Sequence, residues 1–143
     1  MKILDLVKDR PIYSVTAEQT VLEAAQFMVD RNIGAVPVLR GDDLIGIFSE
    51  RDLMKRVIAG GRSPSMTKVS EVMTPHPKTV SIDESLENCM FLMREHNFRH
   101  LPVCDGGKLV GLISLRDLML REMTEKDQEV KHMRAYIQGA NPE

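Results

Sequence analysis

The chain has 143 residues, 43% of them hydrophobic and 28% charged, with a formal net charge of -2. That composition supports a packed core of ordinary domain size, and the near-balanced charge excludes a global basic field for nucleic acid or anionic membrane. With no Trp, and aromatic side chains only at Tyr13, Phe27, Phe48, Phe91, Phe98 and Tyr136, platforms for stacking single-stranded bases are few.

Residues 1–10 contain no apolar stretch of signal-peptide type, and no run approaches a membrane span, so a cytoplasmic protein is expected. Cys89 and Cys104 are isolated thiols without metal or disulfide-framework spacing and read as small buried hydrophobes. The ten Met residues fall at apolar positions and read as adaptable core filling.

In chain order, Ile12–Thr16 alternates around β-formers and predicts a short strand. Thr20-Val21-Leu22-Glu23 has capping-box spacing and opens a helix with Val21, Ala24, Ala25, Met28 and Val29 on its apolar face. Ala35–Leu39 and Leu44–Phe48 form a hairpin around Arg40-Gly41-Asp42-Asp43, with Pro37 requiring an edge or a bulge. A second helix starts at Ser49 and ends at Gly60-Gly61. After a connector with a helical turn at Val69–Met73, the order repeats: strand Lys78–Ile82, helix Ser85–His96, then a hairpin of His100–Cys104 and Leu109–Ile113. A last helix opens at Ser114 and runs past Met119. Met123, Val130 and Ile137 sit at heptad spacing in it, and Lys126 interrupts the seam.

The repeat is explicit. Gly46-Ile47-Phe48-Ser49-Glu50-Arg51-Asp52-Leu53-Met54 recurs 65 residues later as Gly111-Leu112-Ile113-Ser114-Leu115-Arg116-Asp117-Leu118-Met119. Val15–Met54 overlays Val80–Met119 without a gap, which predicts two β-α-β-β-α units. A unit of about 45 residues cannot bury its sheet alone. An α/β chain of α+β type follows, its two units packed face to face about a pseudo-two-fold axis. The expected boundaries are 1–62 for the first unit, 63–76 for a linker, 77–122 for the second unit and 123–143 for a helical extension.

Each copy places Ser, Arg and Asp where a strand meets a helix start, a position suited to anions. Ser49-x-x-Asp52 and Ser114-x-x-Asp117 are also capping boxes, and capping alone would account for both pairs. The combination with a mid-strand glycine points further, because such a glycine often marks close approach of a ligand or another backbone. An ionised Asp matches the vicinal hydroxyls of a ribose, and Arg51 and Arg116 suit phosphate. The second unit adds Arg99 and His100 where the first has Gly34 and Ala35. Ile47, Val36 and Leu112 offer an apolar slot for a base.

These residues resemble a tandem pair of CBS (cystathionine β-synthase) domains, a Bateman module. The likeness rests on the Gly-x-x-Ser-x-Arg-Asp-Leu frame, Gly34-Ala35-Val36-Pro37-Val38, Arg99-His100-Leu101-Pro102-Val103 and Val72-Met73-Thr74, and it extends to about Arg121. The resemblance implies a regulatory module for AMP, ADP or ATP, in some members S-adenosylmethionine or NAD(H), with no catalytic cofactor. It implies that Asp52 and Asp117 hold ribose, with Ser49, Arg51, Ser114, Arg116, Arg99 and His100 toward phosphate. It further implies that Ile12 and Tyr13 cover the base at the second site, and that Pro77, Lys78 and Thr79 do so at the first. A homodimer and an unidentified protein target are also implied.

An enzyme is disfavoured. His96 and His100 should not share a helix face, no third metal ligand accompanies them, and Ser114 and Asp117 are better placed to cap a helix than to hold a histidine between them. The alternative is an interaction module with no physiological nucleotide.

Overall fold

The computed structural model describes residues 2–137. Its elements run α1 (Leu4–Val7), β1 (Val15–Thr16), α2 (Val21–Arg31), β2 (Ala35–Arg40), β3 (Asp43–Ser49) and α3 (Glu50–Asp52, continuing as a π-helical stretch, Leu53–Ile58). After these come α4 (Val69–Val72), β4 (Thr74–Pro75), β5 (Val80–Ser81), α5 (Leu86–His96), β6 (His100–Asp105), β7 (Lys108–Ser114) and α6 (Leu115–Ile137). Two β-α-β-β-α repeats of mixed α+β class are present.

Local chemistry sets the helix ends. The Thr20 hydroxyl accepts from Glu23 N at 3.1 Å, and the Glu23 carboxylate accepts from Thr20 N at 3.2 Å, completing the capping box of α2. Asn32 (φ 53°) and Asn97 (φ 56°) end α2 and α5 in the left-handed conformation that Asn tolerates.

The first sheet has strand order β1-β2-β3-β4 and the second β5-β6-β7. In both, the leading strand is parallel to its neighbour and the following pair is an antiparallel hairpin. Pro37 lies opposite Ile47, whereas β1 joins β2 only at Val38 and Leu39, so β2 is locally an edge at Pro37. A register shift follows between Val38 and Leu39. Pro102 repeats the arrangement opposite Leu112. The strands expected at Ile12–Thr16 and Lys78–Ile82 shorten to Val15–Thr16 and Val80–Ser81, because only two residues of each reach a partner. The first sheet departs from the expected three strands: β4 pairs with β3 at Gly46 and Ile47.

Each unit has its own core. Val21, Met28, Val36, Val38 and Phe48 centre the first, and Met93, Leu101, Ile113 and Leu118 the second. The two short helices distribute unexpectedly. Val69 and Val72 of α4 complete the first core. Ile3, just before α1, and Val7 complete the second. The chain start is therefore stitched onto the far unit, with Ile3 N donating to Glu84 O at 3.1 Å and Lys2 bridging to Ser85. Cys89 is fully buried, and its burial, with Glu84 nearby, pushes the thiol up to about 12, which leaves it protonated and inert.

Helix α6 has 23 residues, about 35 Å of helix, and the described side chains of its later turns are mostly exposed. Among the described residues no helix is long and apolar enough to cross a membrane. Gly139 to Glu143, whose composition predicts a frayed end, lie outside the described residues.

Candidate functional site

The second copy of the motif opens onto a cleft. Asp117 N donates to the Ser114 hydroxyl at 3.0 Å, and Ser114 N donates to Asp117 Oδ2 at 2.9 Å, so the capping box turns the chain from β7 into α6 and fixes the carboxylate. Arg10, 107 residues earlier, reaches the same carboxylate with both arms of its fork. Its Nη1 lies 3.0 Å from Oδ2 and its Nη2 3.2 Å from Oδ1.

This carboxylate sits at the wall of a cleft of about 530 Å3 between the two repeats. The second unit contributes His100, Gly111, Leu112, Ser114, Arg116 and Asp117. The first contributes Asn32, Ile33, Gly34, Ala35, Pro37 and Glu50. The segment leading into β1 closes it with Val7, Arg10, Pro11, Ile12 and Tyr13. Gly111 matters here as a point of close approach: a Cβ there would lie 3.0 Å from the Val7 Cβ, so the glycine lets α1 seat directly on β7. Tyr13 is fixed from behind by Phe27, edge to face at 6.0 Å, and by Arg31, whose guanidinium lies 5.4 Å from the Tyr13 ring centre and 3.7 Å from that of Phe27.

The electrostatics are mixed, with Arg10 and Arg116 opposed to Asp117 and Glu50. Burial pushes the Asp117 carboxyl up, but hydrogen bonds from Arg10 and Ser114 and the Arg10 charge outweigh it and hold the group below its ordinary value. His100 is held below its ordinary value, because burial disfavours the imidazolium more than Asp117 and Glu50 favour it; Arg99 adds to the lowering.

The first copy is built alike but sealed. Asp52 Oδ2 accepts from Ser49 N at 3.0 Å and from the Ser49 hydroxyl at 3.1 Å. Its Oδ1 accepts from the Thr74 hydroxyl at 3.2 Å, with Arg56 Nε 3.7 Å away. The Asp52 side chain is only 8% exposed, against 24% for Asp117. Met73 and Thr74 press on Gly46, where a Cβ would meet Met73 Sδ at 2.5 Å and Thr74 O at 2.9 Å. Backbone pairing of β4 with β3 holds that cover in place, and Arg56 locks it by donating to Met73 O at 2.8 Å.

Of the residues singled out from sequence, the structure brings Ile12, Tyr13, His100, Leu112, Ser114, Arg116 and Asp117 together in one cleft. Ile47, Ser49 and Asp52 group at the sealed copy, where Ile47 pairs with Thr74. Arg51 is exposed on α3, and Arg99 is exposed while its carbonyl accepts from Leu115 N at 2.8 Å. Pro77 and Thr79 line a shallow depression of about 650 Å3 with Asp43, Leu44 and Cys104, and Lys78 is exposed. It is Met73 and Thr74, rather than residues 77–79, that touch Gly46 and Asp52. The depression gathers few charged groups, whereas the inter-repeat cleft gathers six titratable side chains, Tyr13 among them. His96 stacks on Phe98 with ring centres 5.2 Å apart.

A family model described as the CBS domain matches the chain twice, over residues 5–59 and 69–123. The chain belongs to the CBS-domain family. This CBS pair is 34% identical over 129 residues to CBSX3, a mitochondrial CBS domain-containing protein of Arabidopsis thaliana, covering 87% of this chain and 63% of that one. A CBS-domain protein of Burkholderia ambifaria has a solved structure matching with TM-score 0.82 at 41% identity, over 87% of this chain and 95% of that one. CBSX2 of Arabidopsis thaliana, solved in complex with AMP, matches with TM-score 0.72 at 24% identity, over 82% of this chain and 92% of that one.

Sequence reasoning missed Arg10 and Glu50 as members of the cleft of this CBS pair. A signal for Arg10 existed. The 65-residue offset continues upstream, setting Leu4–Val7 against Val69–Val72 and Arg10 against Pro75. Extending the overlay that far places Arg10 beside the second motif, as Pro75 stands beside Gly46 in the first.

Proposed function

We propose that this CBS pair is a regulatory module that binds an adenine nucleotide in the inter-repeat cleft and signals its occupancy to a protein partner. The observation that carries the reading is the Asp117 carboxylate, fixed at the start of α6 and facing a cleft that also holds Arg10, Arg116 and His100. In this reading the carboxylate takes the ribose hydroxyls, and the two guanidinium groups, with the imidazole N–H of His100, meet phosphate. Leu112, Ile12 and Tyr13 flank the base. A cleft of about 530 Å3 lies within the ordinary range for small-molecule sites. The AMP complex of CBSX2 supports the view that the fold accommodates such a ligand.

AMP, ADP and ATP are the ligands we favour, ahead of S-adenosylmethionine and NAD(H). We assign one nucleotide per chain, because Asp52 is held by the hydroxyl of Thr74, a residue anchored in a paired strand, and is nearly buried, while Asp117 is held across the cleft by the exposed side chain of Arg10. Catalysis is not part of the proposal: the Ser114 hydroxyl is committed to the helix cap. For signalling, the nucleotide must bind one arrangement of the two repeats better than another. A homodimer fits the exposed Met119, Met123, Val130 and Met133 of α6, a stripe at heptad spacing that a second copy would cover.

A module that recognises only proteins is the second reading, favoured by one observation: Arg10 already satisfies the carboxylate. A thermal-shift panel of AMP, ADP, ATP, NAD, NADH and S-adenosylmethionine, with guanosine nucleotides as controls, separates the two. A ligand at 100 times its Kd adds about 2.7 kcal/mol of stability. Stabilisation by adenosine compounds alone is expected, and no shift with any of them would leave the interaction module.

A further inference from the structure

We infer that Arg10 makes the cleft selective for nucleotides over nucleosides by exchanging Asp117 for the ligand's phosphate. The inference rests on the reading of the cleft as an adenine-nucleotide site and goes beyond it, to the group that decides which adenosine compounds enter.

The argument begins with the lone pairs of one carboxylate. An ionised Asp offers about four acceptor positions. At Asp117 at least three are in use: Oδ2 accepts from Ser114 N and Arg10 Nη1, and Oδ1 accepts from Arg10 Nη2. A ribose diol brings two donors and meets at most one remaining position. Ser114 N cannot withdraw, because it belongs to the cap that starts α6. Arg10 can, because it is a side chain with 43% exposure, carried on the segment between α1 and β1.

Withdrawal of the guanidinium breaks a two-armed charged pair in a partly shielded place. A nucleoside offers nothing in return. A nucleotide offers phosphate oxygens, which match the same planar fork. Arg116 lines the cleft as well, and His100 offers an imidazole N–H there, so the phosphate end has further donors available. The guanidinium therefore moves from one anion to another when a nucleotide binds, and is stranded when a nucleoside does. The sealed copy is arranged differently. Pro75 stands where Arg10 would be, Asp52 is held by the Thr74 hydroxyl, and the nearby Arg56, 3.7 Å away, is tied to Met73 O as well.

The test is titration calorimetry of AMP and adenosine into the full chain, as wild type, Arg10→Gln and Arg10→Lys. In wild type AMP should bind more tightly than adenosine. In Arg10→Gln adenosine should bind more tightly than it does to wild type and AMP less tightly, so that the preference falls by about tenfold or more, equivalent to about 1.4 kcal/mol. Arg10→Lys should fall between, since an ammonium keeps the charge and loses the fork. Arg10 is exposed, and matched thermal unfolding of the variants confirms that the fold is retained. Binding of both ligands with an unchanged preference would overturn the Arg10 exchange and leave the nucleotide site standing. Failure of both ligands to bind wild type would overturn the site and the exchange together.

Discussion

At Asp117, burial and charge pull in opposite directions. Burial alone would raise the carboxyl, and the Arg10 and Ser114 contacts bring it below the ordinary 3.8. A carboxyl depressed by folding stabilises the native state above its unfolded value, and that contribution is lost as pH falls through the folded one. Asp117→Asn should therefore be less stable than wild type at pH 7, and the gap should narrow as the pH drops below 3.8. Urea unfolding of both proteins at neutral and acid pH measures it, and a gap independent of pH would contradict the assigned pair. The Ser-x-x-Asp half of this site was legible in sequence because capping is local: both partners lie within one turn. Arg10 was legible only by carrying the 65-residue offset upstream of Val15, because its contact spans 107 residues.

The two short helices decide how the repeats are joined. α4 follows the first unit and packs on it, whereas α1 precedes the first unit and packs on the second. Ile3, just ahead of α1, is fully buried in the second core, beside Val7. Ile3→Ala should cost about 2–5 kcal/mol, the usual range for truncating a buried Ile. Because the residue serves the far unit, protection of β6 and β7 amides from hydrogen exchange should fall before that of β2 and β3. Loss confined to the first sheet would contradict the crossing. The principal helices and hairpins were readable from caps, periodicity and turn residues. The leading strands were overextended in the reading, because their length is set by Val38–Leu39 and Val103–Cys104 on the partner strands. The π-helical stretch Leu53–Ile58, where Ala59 N donates to Met54 O at 2.9 Å, leaves no trace in a helical periodicity so short.

Across the whole molecule, the 65-residue repeat gave the pseudo-symmetry and concealed its breaking. Gly46 with Asp52 and Gly111 with Asp117 are indistinguishable as motifs. Their surroundings differ because Met73 and Thr74 continue into a paired strand, while Lys8 and Asp9 lead to Arg10 without one. Identical motifs thus yield one carboxylate held by a residue of a paired strand and another held by an exposed side chain. Calorimetric titration of AMP into wild type, Asp117→Asn and Asp52→Asn is the direct test of a single inter-repeat nucleotide site. The account predicts one nucleotide per chain, weakened by about tenfold or more in Asp117→Asn, as expected for loss of charged hydrogen bonds, and retained in Asp52→Asn. Two equivalent sites per chain, or binding that depends on Asp52 and is indifferent to Asp117, would contradict it.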